Sequence, residues 1–382
     1  MIVRDDRIAL SRAALSSAGL TLLLMGAMAA AYGPLLPYLM RRFAIGVSVA
    51  GLVFGVHFAG GLLGVTASML SLGRLTSRVA VSGALGLMAI GCIGVALALS
   101  WLVMLAGVFL IGIGFGALDL RINQMLAYSV NPKRVALLNG LNGVFGIGAV
   151  AAPILVSIAG ARYGLIYAGG AAVAAVALLG FRGVPGRLRG ASSSGTAPSS
   201  RRTARLVVIF ATAFGLYVGV EIGVAGWMPT HLHSAGFGLA AAATLTSGFW
   251  LALAAGRFLV APLTLRVSDS AIVLGGTAVA VLCLAGALIA PFAPVAYIAT
   301  GLAIAPVFPT GVAWLATLNP ANPGATSWLF PASMVGGALI PSAIGLVIAR
   351  VGAGWVPTIL AAVAIGTLAA FAAAARSSTR LN

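Results

Sequence analysis

The chain has 382 residues, of which 61% are hydrophobic and only 7% charged, and its mean hydropathy is +1.12. A soluble domain carries about 25% charged residues, so this composition excludes a soluble globular protein and implies an integral membrane protein whose surroundings are the lipid bilayer. The net charge of +17 comes from basic residues scattered singly at the ends of apolar runs. No basic stripe with interleaved aromatics marks a nucleic-acid binder, and no nucleic-acid partner is expected.

The N-terminus, "MIVRDDRIALSR", is charged, but the apolar segment after it lacks a small-residue cleavage site, so it reads as a retained cytoplasmic end. A helix needs roughly 20 apolar residues to cross the hydrocarbon core. Punctuation by charge, Pro, Asn and Gly gives twelve such runs, at 15–39, 47–72, 79–99, 101–130, 135–160, 163–182, 206–231, 241–265, 270–290, 294–318, 325–349 and 355–375. The weakest break is the "SW" at 100–101 between the third and fourth. With the N-terminus inside, sixteen basic residues fall on inner loops and ends and four on outer loops; Arg121 and Arg257, inside spans, complete the 22. This is the positive-inside asymmetry, and it places both termini in the cytoplasm. Arg-rich, Ala/Gly-rich usage suggests a bacterial chain, hence the cytoplasmic (inner) membrane.

Residues 183–204, "GVPGRLRGASSSGTAPSSRRTA", form the one long polar stretch and read as a flexible inner linker. They divide the chain into an N-terminal six-helix half, 1–182, and a C-terminal one, 205–382. Echoes relate the halves: "PYL" at 37 with "PTHL" at 229, Cys92 with Cys283 (each followed four residues on by "AL"), and "GAVAAP" at 148 with "GGALIP" at 336. Their offsets are 192, 191 and 188. The expected fold is therefore all-α, with twelve transmembrane helices in two parallel six-helix halves, the transporter arrangement in which halves rock around a substrate between them.

An ionisable residue near the bilayer centre costs about 2.5–3.5 kcal/mol even on lenient scales, so each one inside a span is a functional candidate. Asp119 lies on the fourth span with Asn123 four residues on, sharing one helix face. A carboxyl beside an amide can bind a hydroxylated ligand or hold and release a proton. Arg121, two residues from Asp119, points roughly 200° round the helix; it reads as a gating residue, an interhelical ion pair being the structural alternative. Glu221 sits in "LYVGVEIGVAGWMPTHL" on the seventh span, with Tyr217 one turn before it and Trp227 nearby, a carboxylate with aromatics that suits a sugar-like ligand. Arg257 follows on the eighth span, with Trp250 seven residues earlier on the same stripe, and reads as part of an inner gate.

His57 on the second span either lines the cavity or bonds a neighbour. Asn139 and Asn142, three apart on the fifth span, share a face and either line a polar path or bond another helix; the glycines around them allow close approach. The candidates are therefore Asp119 and Glu221 for proton coupling, and Asn123, Asn139, Asn142, Tyr217, Trp227, Trp250 and His57 for substrate. Arg121 and Arg257 are the gating candidates. Cys92 and Cys283 have no metal-ligand spacing and no disulfide framework, and His57, His231 and His233 are grouped with no nucleophile or carboxylate cluster. No metal, cofactor or catalytic residue is expected, and no enzyme or sensor. Without a Gly-rich phosphate loop, the energy source is the proton gradient.

Twelve spans in two parallel halves resemble the major facilitator superfamily. "SLGRLTSR" at 71–78 looks like a worn copy of its signature after the second helix, keeping the glycine and arginines but not the usual acid, and "GRFLVAPLTLR" at 256–266 is its counterpart. Within the superfamily, Asp119, Asn123, Leu138–Asn139, Asn142 and Phe145–Gly146 are similar to the fucose–proton symporters and their sugar-transporter relatives. "VEIGVAGW" at 220–227 and "SGFWLALAAGRF" at 247–258 follow the same group. The resemblance implies that Asp119 takes the place of the proton-linked acid. It also meets a departure: the first span, "AAAYGPLLPYL", lacks the second acid of that family. Glu221 is the remaining candidate for it, by depth. The expectation is a monomeric secondary transporter taking up a small polar solute, a sugar, with protons. The alternative is a proton-coupled exporter of amphipathic drugs or lipids, to which "GIGAVAAP" gives a slight resemblance.

Overall fold

The computed structural model describes residues 10–72, 74–127, 134–183, 201–259, 266–319 and 323–379. Every regular element among them is helical. In hydrocarbon each main-chain N–H and C=O must find its partner inside the segment, which long apolar stretches satisfy only as helices. In chain order the helices are α1 (Arg12–Phe43), α2 (Val47–Ala50), α3 (Leu52–Leu70), α4 (Ser77–Ala96), α5 (Trp101–Ala127), α6 (Arg134–Ala159) and α7 (Gly164–Gly180). After residues 184–200, which lie outside the described part and include most of the expected linker, come α8 (Arg201–Ser234), α9 (Leu239–Leu259), α10 (Asp269–Gly286), α11 (Ala293–Ile304), α12 (Val307–Leu318), α13 (Leu329–Val351) and α14 (Val356–Thr379).

These helices supply eleven segments long and apolar enough to cross a membrane, with α7, 17 residues, as the shorter twelfth. The weak break between the third and fourth spans is real. Here α4 ends at Ala96, and Ser100 accepts a hydrogen bond from the Val103 N–H at 3.4 Å, capping the new helix. Two spans expected to be continuous are instead built from two helices each. The second is α2 and α3, parted at Gly51. The tenth is α11 and α12, parted at Ala305–Pro306, because Pro306 has no N–H to offer the turn before it.

Two compact units emerge: Met1–Ala31 with Val56–Ser192, and Tyr32–Gly55 with Ser193–Asn382. Residues 32–55, which belong to the first half by sequence, thus pack with the second unit.

Inside the first unit, helices meet along seams of glycine. A Cβ on Gly112 or Gly116 of α5 would meet the main-chain carbonyls of His57 and Gly61 on α3; one on Gly60 or Gly64 of α3 would meet those of Phe109 and Ile113 on α5. Two small-xxx-small pairs therefore interlock, each helix lending its carbonyls to the other's gaps. Gly26 of α1 and Gly148 of α6 make the same reciprocal contact, with the Phe145 and Leu23 carbonyls. In the second unit, Gly336 of α13 sits on the main chain of Gly215 in α8.

Candidate functional site

The first unit holds the polar residues of α5. The Asn123 amide donates to the main-chain carbonyl of Asp119 at 2.8 Å and to its carboxyl oxygen at 3.0 Å. From α6, the Asn142 amide donates to the Asn123 carbonyl oxygen at 3.3 Å. Three sequence candidates on two helices thus form one hydrogen-bonded chain, ending on a carboxyl. Asp119, Asn123 and Asn142 are all partly buried. The side chain of Asn139 lies outside the described residues. His57 of α3 is buried between Phe58 and Phe115, with ring centroids 5.2 Å away in both cases and edge-on geometry.

Arg121 projects to another side of α5 and is fully buried. Its Nε donates to the Ser68 hydroxyl at 2.9 Å, and Nη2 donates to the Ser68 carbonyl at 3.0 Å and the Ser71 hydroxyl at 2.7 Å. Among the described residues, hydroxyls and a helix-terminal carbonyl take the place of the ion pair that was the structural alternative. Those bonds tie α5 to the end of α3 and the turn after it. The sequence signal for these partners was two serines three apart where an apolar span runs out. Lysine cannot reproduce the planar fork that spans them. Arg121→Lys should lose at least one charged hydrogen bond, costing about 1.5–3 kcal/mol, visible as a lower melting temperature of the purified protein.

The second unit gathers a different set. Tyr217 and Glu221 stand one turn apart on α8, and the Tyr217 phenol interacts with both the Glu221 carboxyl and the Arg257 guanidinium of α9. The same hydroxyl donates to the Ile304 carbonyl at 3.4 Å, at the break between α11 and α12. The phenol thus stands among an acid, a base and a main-chain carbonyl. Along α9, Ser247, Trp250 and Arg257 fall on one broad face. The Ser247 hydroxyl, the Trp250 indole N–H and the Arg257 Nε are buried without a hydrogen-bond partner among the described residues. Buried donors of this kind call for acceptors. Ser247 was not singled out from sequence; its place one turn before Trp250 was the available signal.

Trp227 is placed apart from this group. It is fully buried, its indole N–H donates to the Pro341 carbonyl at 2.8 Å, and its ring packs over Gly51 and Gly345 and lies 5.9 Å from that of Phe54.

The sequence profile of the Major Facilitator Superfamily matches residues 18–299. No curated protein matches the chain. Among solved structures, a D-xylose–proton symporter is similar at TM-score 0.79 and 14% identity, covering 94% of this chain and 96% of its own. The nucleoside transporter NupG is similar at TM-score 0.74 and 16% identity, covering 95% and 98%. The peptide transporter POT is similar at TM-score 0.78 and 12% identity, covering 95% of each. At such identities the likeness is one of fold.

Proposed function

The chain belongs to the Major Facilitator Superfamily and is a multi-pass transporter of small solutes, not an enzyme, and on that premise we propose that it takes up a sugar or similar polyhydroxylated solute by proton symport. The observation that carries this reading is the chain from Asn142 through Asn123 to the Asp119 carboxyl. It joins a group able to exchange a proton to an amide of the kind that recognises hydroxyls. Asp119 carries the proton, and Glu221 is the second carboxyl. Asn142 contacts the solute during alternating access. The D-xylose–proton symporter among the similar structures supports this class of cargo; the fucose–proton symporters remain the branch proposed from the motifs of α5 and α6. The protein works as a monomer in the cytoplasmic (inner) membrane, both termini in the cytoplasm, driven by the proton gradient without a cofactor.

A second reading, proton-coupled export of amphipathic molecules, draws on the aromatic cluster of Phe214, Tyr217, Phe308 and Phe330, whose neighbouring rings lie 5.1–6.4 Å apart. The two are separated by proteoliposomes given an inwardly directed proton gradient and a panel of labelled sugars. Accumulation of one sugar, abolished by a protonophore, is the expected result. No accumulation by folded protein, with proton-driven extrusion of a cationic dye from everted vesicles, would replace uptake by export.

A further inference from the structure

We propose that Asn123 is a positioning residue that gives no hydrogen bond to the solute: it holds Asp119 by one carboxyl oxygen and thereby reserves the other for the proton. The inference rests on the reading of Asp119 as the coupling carboxyl.

A primary amide has two N–H groups and one carbonyl oxygen. Asn123 uses both N–H groups on Asp119, one on the main-chain carbonyl at 2.8 Å and one on a carboxyl oxygen at 3.0 Å. Its own oxygen accepts from Asn142 at 3.3 Å. Turning the amide over would set its oxygen against the Asp119 main-chain carbonyl and its N–H groups against those of Asn142. Both contacts are repulsive. Neither of the partners that fix this orientation changes with pH, because a main-chain carbonyl does not titrate and an asparagine has no charge to gain.

The orientation of Asn123 is therefore the same whether Asp119 is charged or neutral. It follows that the carboxyl oxygen facing Asn123 is always an acceptor. When Asp119 takes up a proton, the new O–H bond forms on the opposite oxygen, and the same O–H breaks on release. Both donors of Asn123 are committed and only the second lone pair of its oxygen stays open, so a solute in need of a donor meets Asn142 first. Asn123 then serves as the fixed link through which Asn142 touches the carboxyl.

The chain's own threonines provide the discriminating substitution. Thr66, Thr246 and Thr277 each donate their single hydroxyl proton to the carbonyl four residues earlier, at 2.7–3.0 Å. Asn123→Thr should do likewise to the Asp119 carbonyl, keeping the main-chain bond while releasing the carboxyl. Asn123→Leu removes both.

The experiment is infrared difference spectroscopy of the full chain in liposomes between acidic and alkaline pH, with the proton itself as the probe. The carbonyl stretch of protonated Asp119 is identified by its loss in Asp119→Asn. A carbonyl that accepts a hydrogen bond is weakened, so the band should move to higher wavenumber in both Asn123→Thr and Asn123→Leu. It should hold its place in Asn142→Leu, where the Asn123 amide still grips the carboxyl. A band that stays put in both Asn123 variants would overturn the positioning role while leaving Asp119 as a proton carrier. If no band disappears in Asp119→Asn, the reading of Asp119 itself fails, and this inference with it.

Discussion

In proteoliposomes carrying a gradient of two pH units, Asp119→Asn is expected to abolish accumulation while leaving counterflow exchange intact. One pH unit is worth about 1.4 kcal/mol per proton, so symport of one proton with each solute can concentrate the solute about a hundredfold. An amide cannot carry the proton, so the internal concentration should fall to the external one. Exchange of labelled for unlabelled solute needs no net proton movement. The substituted amide can still accept the hydrogen bond from Asn123, so the chain to Asn142 survives. A variant that accumulates like the wild type would make Asp119 structural and turn attention to Glu221, whose interaction with Tyr217 and, through that phenol, Arg257 gives it a separate polar setting.

The largest effect on stability is expected at the seam between α3 and α5. A Cβ at Gly112 would overlap the main-chain carbonyl of His57, and main chain cannot swing aside as a side-chain tip can. Overpacking a core typically costs about 1–3 kcal/mol where side chains can adjust. Gly112→Leu should exceed that range, because α3 must be displaced bodily and the reciprocal contacts of Gly60, Gly64 and Gly116 are lost with it. Monodisperse protein should not be recovered, as read by fluorescence-detected size exclusion. The control is Gly83→Leu, where a Cβ on α4 meets nothing within 4 Å; this variant should elute and melt like the wild type. A well-behaved Gly112→Leu would mean that the two helices are not held at this distance.

The spans were legible because each needs only an apolar run of sufficient length, and the membrane imposes that requirement locally. The pairing of Asp119 with Asn123 was legible for a similar reason, since four residues on a helix are one turn. Partners from other helices were not. The sequence does not say that Asn142 reaches Asn123, and the two serines that close their span do not by themselves say that they receive Arg121, because such contacts depend on how the helices are rotated against each other. Trp227 shows how nearness in sequence misleads. It follows Glu221 by six residues, which on a helix is about 240° of rotation, and the indole turns to Pro341 and the glycines beside it. The break at Pro306 was visible as a proline. Its use, which brings the Ile304 carbonyl to the Tyr217 phenol, required the positions of both helices.

The three bonds of Arg121 bear on the order in which this protein is made. Ser68 and Ser71 precede Arg121 by 53 and 50 residues, so during synthesis the receptor for the guanidinium leaves the ribosome first. After α4 comes α5, which carries Asp119 and Arg121 together, a costly cargo for the insertion machinery, and which has the most apolar window of the candidate spans. That hydrocarbon content offsets the entry of two polar residues. Once α5 is lodged, a nascent chain with α3 already in place can accept Arg121 at once, without waiting for the second half to be translated.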